Sequence, residues 1–447
     1  MHGPPIDLTA TVWGFLGLAV LLLAYALVVY EEHTQFRKSK PVLLAACVIW
    51  LFVAFAYHGT PHAERVPEAF KHNFLEYTEI LLFLLVAMTY INVLEELHVF
   101  EALRSRLIQG GWSLRQLFWL TGTLAFFISP VADNMTTALI MGAVAVSVGG
   151  KNTAFIAAAC VNIVVAANAG GAFSPFGDIT TLMVWQKGAV EFFTFFHLFV
   201  PALVTWLIPA CLMARAISAQ AGIAKSEPLV NMKPGAKRTM ALFGFTIACA
   251  VAGHNMFHMP PVWGMLLGLS LLKILGYLLK IRAADDTPFD IFRHVERLEW
   301  DTLLFFGGII LAVGGIGFMG YLTLLSSVGY AAWGPLSVEQ SVTLANVAVG
   351  LLSAVIDNIP LMFAVLTMDP QMSTWQWLLV TLTAGVGGSL LSVGSAAGVA
   401  LMGTSKGNYT FSSHLRHTPA IALGYILGIV AHYGWALAMA PGLFTSN

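Results

Sequence analysis

Apolar runs of about twenty residues recur along the whole chain and restrict what it can fold into. A hydrocarbon core about 30 Å thick needs roughly 20 apolar residues per helix. Of the 447 residues, 58% are hydrophobic and 10% charged, whereas about a quarter of the residues of a soluble domain are charged. We therefore predict an all-α polytopic membrane protein. Uninterrupted spans are expected at 9–30, 41–57, 79–99, 192–214, 239–256, 261–279, 302–322 and 418–440.

Four further apolar stretches are interrupted by polar residues, Gly or Pro. Residues 114–149 and 338–367 each form two short apolar arms around a polar tip, which predicts re-entrant helical hairpins. Residues 153–186 and 374–403 are long enough to span but contain Gly and polar residues in the middle, which predicts broken spans. Non-helical backbone at membrane depth is tolerated only where it is buried in protein or lines a cavity. A functional site is therefore expected where these stretches meet.

Basic residues predict the orientation of the chain. Ten spans and two hairpins place all but three of the 22 Lys and Arg residues in loops on one side, the exceptions being Arg65, Lys71 and Lys187. Because Lys and Arg favour cytoplasmic loops, that side is predicted to be the cytoplasm and both termini to be outside. A formal net charge of −1 gives no indication of a nucleic-acid partner. The four cysteines lack the spacing of a metal site, and no cofactor is expected.

The second half of the chain repeats the first. "LEYTEILLFLLVAM" from Leu75 resembles "LEWDTLLFFGGIIL" from Leu298, and "SPVADNMTTAL" from Ser129 resembles "SAVIDNIPLMF" from Ser353. Each half then holds five spans, one of them broken, and one hairpin. Five is an odd number, so the second half starts on the opposite side, and inverted-topology repeats of this kind are typical of secondary transporters. The predicted organisation is repeat 1 at 1–217, a cytoplasmic linker at 218–238 and repeat 2 at 239–447.

The tips of the two hairpins carry the same acidic pair, Asp133–Asn134 and Asp357–Asn358. Inverted halves would bring both tips near the midplane, where a charged residue costs about 2.5–3.5 kcal/mol on insertion scales. Helix capping explains Asp or Asn at such a position, but Ser or Asn would cap without the charge. We therefore predict that the tips bind a small, hard cation. Further oxygen ligands are expected from Ser129, Thr136 and Ser353 and from carbonyls freed where Pro130 and Pro360 break the helices.

The broken spans add an unequal pair of positions. Gly177–Asp178 in the first corresponds to Gly394–Ser395 in the second, so one copy is acidic and the other neutral. Small residues also favour helix packing, but packing does not require a carboxylate. Asp178, Asn168, Ser392 and Ser395 are therefore predicted to join the site.

Two acids, Glu79 and Asp301, are expected at the start of the third span of each half. An acidic residue stabilises a helix N-terminus, and this role explains both positions. Each acid also suits the entrance of a proton or ion path, one from outside and one from the cytoplasm. The sequence leaves both interpretations open.

Buried carboxylates bind either a proton or a cation, because desolvation favours the protonated form and a nearby cation favours the charged form. Proton and cation then compete for one site, and that competition couples their opposed fluxes. Several carboxylates close together titrate as a set, so individual values are not assigned.

The paired tips, Ser129-Pro-Val-Ala-Asp-Asn-Met-Thr-Thr-Ala and Ser353-Ala-Val-Ile-Asp-Asn-Ile-Pro, resemble those of NhaD-type sodium/proton antiporters. This family belongs to the ion transporter (arsenite permease-like) superfamily. The resemblance covers nearly the whole chain, including "NAGGAFSPFGDITTLMVWQKG" from Asn168. It implies exchange of internal Na⁺ or Li⁺ for external protons across a bacterial cytoplasmic (inner) membrane, in pH and sodium homeostasis. It also implies a homodimer with a scaffold part and a transport part.

By this resemblance, the essential polar positions of the family correspond to a defined set of residues here. Na⁺ itself is expected at Asp133, Asn134, Thr136, Asp357 and Asn358. The full set is Ser129, Asp133, Asn134, Thr136, Asn168, Asp178, Ser353, Asp357, Asn358, Ser392 and Ser395.

Three alternatives remain open. A sodium- or proton-coupled anion or dicarboxylate carrier of the same superfamily would share the inverted repeats, although Asp133 and Asp357 would repel an anion. An intramembrane aspartyl protease also uses two membrane aspartates but does not need two matched hairpins. A channel is disfavoured by the repeats. The chain is predicted to be a transporter and not an enzyme.

Overall fold

A computed structural model of the chain describes residues 6–31, 36–219, 228–282, 291–331, 333, 336–439 and 442. These residues form α-helices and two 3₁₀ segments and contain no β-strand. Eight of the helices are long and apolar enough to cross a membrane. The chain is thus an all-α polytopic membrane protein, as predicted. Part of the predicted linker, residues 220–227, lies outside the described residues.

The helices follow the predicted apolar runs, with one clear exception. The third span begins at Arg65 instead of residue 79 and is 32 residues long, or about 48 Å at 1.5 Å per residue. The first turns of this helix are polar and precede the apolar run, so the apolar pattern alone did not predict them. In the first half the helices are α1 (Val12–Val29), α2 (Ser39–Tyr57), α3 (Arg65–Glu96), α4 (Val99–Gln109), α5 (Leu114–Ala132), α6 (Asn134–Gly149), α7 (Thr153–Gly171), α8 (Ile179–Gln186), a 3₁₀ helix (Phe192–Leu198) and α9 (Phe199–Ala214).

The second half likewise contains long helices, a helical hairpin and an interrupted helix, with two additional short helices. Its helices are α10 (Ala236–Phe257), α11 (Pro261–Arg282), α12 (Ile291–Glu296), α13 (Trp300–Phe318), α14 (Tyr321–Gly329), α15 (Val338–Leu352), α16 (Asn358–Met368), α17 (Thr374–Gly387), a 3₁₀ turn (Ser392–Gly394), α18 (Ala396–Thr404), α19 (Phe411–Leu415) and α20 (Thr418–Met439).

Both predicted hairpins are pairs of helices, α5–α6 and α15–α16. Each first arm starts with a capping box, in which Ser113 pairs with Gln116 and Ser337 with Gln340. The expected breaks at the prolines are wrong. Pro130 lies inside α5, which continues to Ala132. Pro360 lies in the first turn of α16, where backbone N–H groups have no helical partner and a proline costs little.

Both predicted broken spans are interrupted helices, α7–α8 and α17–α18. The gaps fall at 172–178 and 388–395, and the second contains the 3₁₀ turn. Helix α7 is the most deeply buried of the eight spans, because 94% of the residues in its apolar stretch are buried inside the protein. A helix that is apolar all round belongs in an interior.

The chain forms two compact units, and each takes elements from both halves. The first comprises residues 1–98, 233–328 and 363–369. Its core includes Ile49, Val53 and Ile316, and the Trp50 indole N–H donates to the Leu311 carbonyl at 2.8 Å. The second unit comprises residues 99–232, 329–362 and 370–447. It contains both hairpin tips and both broken spans. The predicted repeat boundaries stay a prediction.

Candidate functional site

Asp178 is a buried acid at the break of the first broken span. It lies in the gap between α7 and α8 and caps α8, because its carboxylate accepts from Thr180 N and Thr180 Oγ1, each at 2.9 Å. Its exposed fraction is only 7%. A buried carboxylate needs compensating donors, a proton or a cation.

Two amides, one from each hairpin tip, supply further donors to this carboxylate. Asn134 Nδ2 lies 3.1 Å from Asp178 Oδ2, and Asn358 Nδ2 lies 3.2 Å from the same oxygen. The sequence predicted that the two hairpin tips lie near each other, and both tips contact Asp178. Asn134 Nδ2 also donates to Asn168 Oδ1 at 3.2 Å, so its nitrogen lies between two side-chain oxygens.

Asp133, at the first hairpin tip, is engaged by its own helix. Its carboxylate accepts from Thr136 N and from Thr136 Oγ1, both at 2.8 Å. Its backbone has φ 53° and ψ 161°, a conformation that residues other than Gly rarely adopt. The capping role weighed for this acid is therefore present. Thr136, expected to be a direct cation ligand, here positions the Asp133 carboxylate.

Asp357, at the second tip, has fewer partners. Its Oδ1 accepts from Ile359 N at 3.3 Å. Pro360 occupies the position that Thr136 has in the first hairpin and offers neither an N–H nor a hydroxyl. Asp357 thus keeps more of its acceptor capacity free than a capped carboxylate does.

The predicted serines fall into two groups. Ser129 and Ser353 each donate to a carbonyl of the neighbouring broken span, Ala167 O at 2.6 Å and Ala384 O at 2.8 Å. Ser395 caps α18 by accepting from Gly398 N at 3.2 Å. Ser392 is fully buried, and its hydroxyl has no hydrogen-bond partner among the described residues. Ser392 therefore offers an uncommitted oxygen.

Glu79 and Asp301 belong to the first unit, whereas the other predicted site residues belong to the second. Asp301 is in the first turn of α13 and accepts a hydrogen bond from Ser39 Oγ. Glu79 lies well inside α3, so the expectation that it starts a helix is wrong, for the reason given above for that helix.

Sequence reasoning did not assign Thr180 and Ser389 to the site. Ser389 Oγ accepts from Asn168 Nδ2 at 2.8 Å, which joins the two broken spans. Ser389 occupies the position of Ala172 in the duplicated sequence, and this polar difference between copies was the available signal. One of the carbonyls at the prolines, Pro130 O, is already engaged, because Ser174 donates to it at 2.9 Å.

Comparison with known proteins identifies the family. A sequence model of a family described as citrate transporters matches residues 25–385. The Na⁺/H⁺ antiporter NhaD of Vibrio cholerae is 52% identical over 453 residues, covering 96% of this chain and 93% of that protein. The chain belongs to the NhaD family of sodium/proton antiporters. Another relative, the NhaD of Alkalimonas amylolytica, is 51% identical over 96% of this chain and 92% of its own.

The chain is also similar to a plant protein. Sodium/proton antiporter 1 of Arabidopsis thaliana is 31% identical over 92% of this chain and 70% of that protein. Membership in the NhaD family confirms the resemblance drawn from the hairpin tips, and the relatives are named as transporters, not as enzymes.

Proposed function

We propose that this protein is a secondary antiporter that exports cytoplasmic Na⁺ or Li⁺ in exchange for external protons. Its ions would bind at the tips and breaks of the second unit, on Asp178, Asp357 and their amide and hydroxyl neighbours. A proton and a cation would compete for the same carboxylates, so that occupancy by one excludes the other. NhaD relatives at about 50% identity, named as Na⁺/H⁺ antiporters, support the substrates.

One observation carries the proposal: amides from both hairpin tips donate to the single carboxylate of Asp178. The nitrogen of Asn134 lies between Asn168 Oδ1 and Asp178 Oδ2, and a small cation at that place would have the same two oxygen partners. An amide can turn its own oxygen toward a cation, so Asn134 and Asn358 suit both states. Ser392 and Ser395, from the second broken span, are the other proposed oxygen ligands.

The remaining members of the site have supporting roles in this proposal. Asp133 and Thr136 hold the tip of the first hairpin and add negative potential. Ser129 and Ser353 tie each hairpin to its broken span. Among the described residues, no three His, Cys, Asp or Glu side chains gather as a metal-binding group. Na⁺ would therefore be held by mixed carboxylate, amide and hydroxyl oxygens.

A sodium- or proton-coupled carrier of citrate or another carboxylate is the second candidate, favoured by the family description that matches residues 25–385. A trianionic substrate needs cationic side chains to offset its charge, and two carboxylates would repel it. The hydrogen bonds found around Asp178 and Asp357 come from amide, hydroxyl and backbone groups, with no Lys or Arg among these partners. The site therefore favours a cation over a free carboxylate substrate.

The setting of the protein is part of the proposal. The asymmetry of Lys and Arg supports an orientation with both termini outside, and the bacterial NhaD relatives support a location in the cytoplasmic membrane. A homodimer in the lipid bilayer follows from the family resemblance. Glu79 and Asp301 are proposed to line an ion or proton path in the first unit. A cysteine introduced at Thr60 should react with an impermeant maleimide only from outside; reaction from the cytoplasm alone would reverse the orientation.

Transport in everted vesicles tests the function. A proton gradient is imposed and reported by a pH-sensitive dye, and Na⁺, Li⁺, K⁺, citrate or succinate is then added. Na⁺ and Li⁺ should collapse the gradient and K⁺ should do so weakly, because a crowded oxygen site suits small, hard cations. Vesicles without the protein are the control. A response to citrate or succinate with none to Na⁺ would replace the antiporter with a carboxylate carrier.

A further inference from the structure

A buried chain of hydrogen bonds leads away from the proposed cation site. Asn168 accepts from Asn134 through Oδ1 and donates through Nδ2 to Ser389 Oγ at 2.8 Å. The Ser389 carbonyl in turn bonds to His414 Nε2 at 2.8 Å. The other ring nitrogen, Nδ1, lies 2.7 Å from the hydroxyl of Tyr409. Asn168, Ser389 and His414 are fully buried, so bulk water does not compete for these hydrogen bonds.

His414 is placed on the short helix α19, outside the predicted spans. Burial lowers its pKa to about 4, so the ring is neutral near pH 7 and has one N–H donor and one acceptor. The Ser389 carbonyl only accepts, which assigns the N–H to Nε2 and makes Nδ1 the acceptor of the Tyr409 hydroxyl. Both ring nitrogens are therefore engaged, and the ring orientation is set.

The carbonyl that His414 engages lies just past the end of α17, where the chain leaves the helix. Carbonyls at such an end need partners from elsewhere. His414 and Thr418 engage two consecutive ones, at Ser389 and Leu390, and so fix the backbone that carries the Ser389 hydroxyl.

The hydrogen bond between Asn168 and Ser389 has a counterpart position in the other copy of the duplicated sequence. That counterpart shows that packing alone does not require the hydrogen bond. Asn168 and Ser389 of one contact correspond to Gly385 and Ala172 of the other. Gly385 faces the Ala172 methyl group, with no polar atoms at the side chains. The same frame is therefore built with and without the amide–hydroxyl bond.

We infer that His414 is a positioning residue for the cation site: by fixing Ser389, it holds the Asn168 amide with its oxygen toward the Asn134 nitrogen, the proposed place of the cation. Were Ser389 to shift, the Asn168 amide could rotate and present its nitrogen to the cation instead. This inference rests on the proposed function, because it assigns Asn168 Oδ1 as an oxygen ligand for Na⁺ or Li⁺. It adds His414, Ser389 and Tyr409 to the residues that tune cation binding.

Two substitutions at His414 separate positioning from bulk. His414→Asn is too short to reach the Ser389 carbonyl, whereas His414→Gln can place an N–H near the position of Nε2. His414→Asn should raise the Na⁺ concentration for half-maximal exchange about tenfold, the lower range for loss of an outer-shell partner. The maximal rate should stay within about twofold, and His414→Gln should recover most of the affinity. Ser389→Ala should reproduce the His414→Asn shift, and the double variant should add little to it.

His432 is the matched control. It is a fully buried histidine in the same unit, and its Nε2 bonds to a backbone carbonyl of the same helix α17, Trp375 O at 3.1 Å, near the opposite end. His432→Asn should change protein yield or melting temperature as His414→Asn does but leave the half-maximal Na⁺ concentration unchanged. An equal shift in both variants, or none in His414→Asn, would overturn the positioning role.

A binding measurement keeps this test separate from the antiporter proposal. Na⁺ that binds the folded protein raises its melting temperature in detergent. The Na⁺ concentration giving half the maximal rise should be about tenfold higher for His414→Asn than for the wild type or His414→Gln. Absence of exchange in wild-type vesicles would defeat the proposed function. Unchanged Na⁺ dependence of melting in His414→Asn would defeat the inference about His414, whatever the vesicles show.

Discussion

The two broken spans of the second unit share a backbone and differ in charge. Asp178 has φ −143° and ψ 144°, and Ser395 has φ −140° and ψ 148°; each caps the short helix that follows. A Cβ added to Gly170 would meet the Phe126 carbonyl, and one added to Gly387 would meet the Gly350 carbonyl, its counterpart. The same close approach of hairpin and broken span is therefore built twice.

What differs is the use made of the capping side chain. Ser395 accepts from its own helix at Gly398 N, whereas Asp178 also accepts from the amides of both hairpin tips. The close packing of each hairpin against its broken span explains how the chain can keep two interrupted helices among apolar residues. The unduplicated carboxylate explains why one copy would hold most of the ion chemistry.

The hairpin tips show a second difference of the same kind. Asp133 accepts two hydrogen bonds from Thr136, whereas Asp357, which has Pro360 at the position of Thr136, accepts one from Ile359 N at 3.3 Å. Equal residues in the sequence are thus unequal in the structure. Asp357 is the tip carboxylate with more capacity for a proton or a cation.

The largest expected effect separates the two broken spans. Asp178→Asn removes the charge that four donors and a cation would share, and should reduce exchange to background. Ser395→Ala removes one hydrogen bond to the α18 backbone, a net contribution to stability of about 1 kcal/mol, and one proposed neutral ligand, and should cause only a modest loss of exchange. Both are assayed in everted vesicles at matched expression. Equal losses in the two variants would show that the copies act alike.

The second expected effect separates the two tips. Asp357→Asn should lower exchange more than Asp133→Asn, because Asn caps a helix about as well as Asp and preserves the capping role of Asp133, although not its charge. We expect near-complete loss in the first variant and a severe but measurable loss in the second, over a range of pH. Near-normal exchange in both would refute competition at the hairpin acids, and a larger loss at Asp133 would reverse the ranking.

The smallest expected effect concerns the extra hydroxyl of the first tip. Thr136→Ala removes the side-chain bond to Asp133, a net contribution of about 0.5–1.5 kcal/mol, and should raise the half-maximal Na⁺ concentration about threefold. Thr136→Ser should restore it. Thr137→Ala is the control, since the buried Thr137 hydroxyl has no hydrogen-bond partner among the described residues. A shift as large in Thr137→Ala would mean that packing, and not the Asp133 bond, is responsible.

The sequence allowed most helices to be placed, because apolar runs and their polar interruptions follow directly from the lipid environment. It also indicated Asp178 as the unequal member of a duplicated pair. It did not show that Asn134 and Asn358 would both turn to Asp178, because that contact joins residues far apart in the chain. The positive φ of Asp133 was equally hidden, since only the capping geometry of the tip requires it.

The composition of the compact units was also beyond sequence reasoning. Repeat boundaries follow chain order, whereas each unit combines elements of both halves. His414 gave no signal, because a single histidine in a short polar loop resembles many solvated ones. Its importance follows only from its burial and its bond to the Ser389 carbonyl.

Competition of Na⁺ and protons for the same carboxylates is the central claim, and its most direct test uses purified wild-type protein in proteoliposomes. The half-maximal Na⁺ concentration and the maximal exchange rate are measured at several values of pH. As pH falls, protons occupy the carboxylates, so the half-maximal Na⁺ concentration should rise while saturating Na⁺ restores the same maximal rate. A half-maximal Na⁺ concentration that stays constant while the maximal rate falls would contradict competition at a shared site.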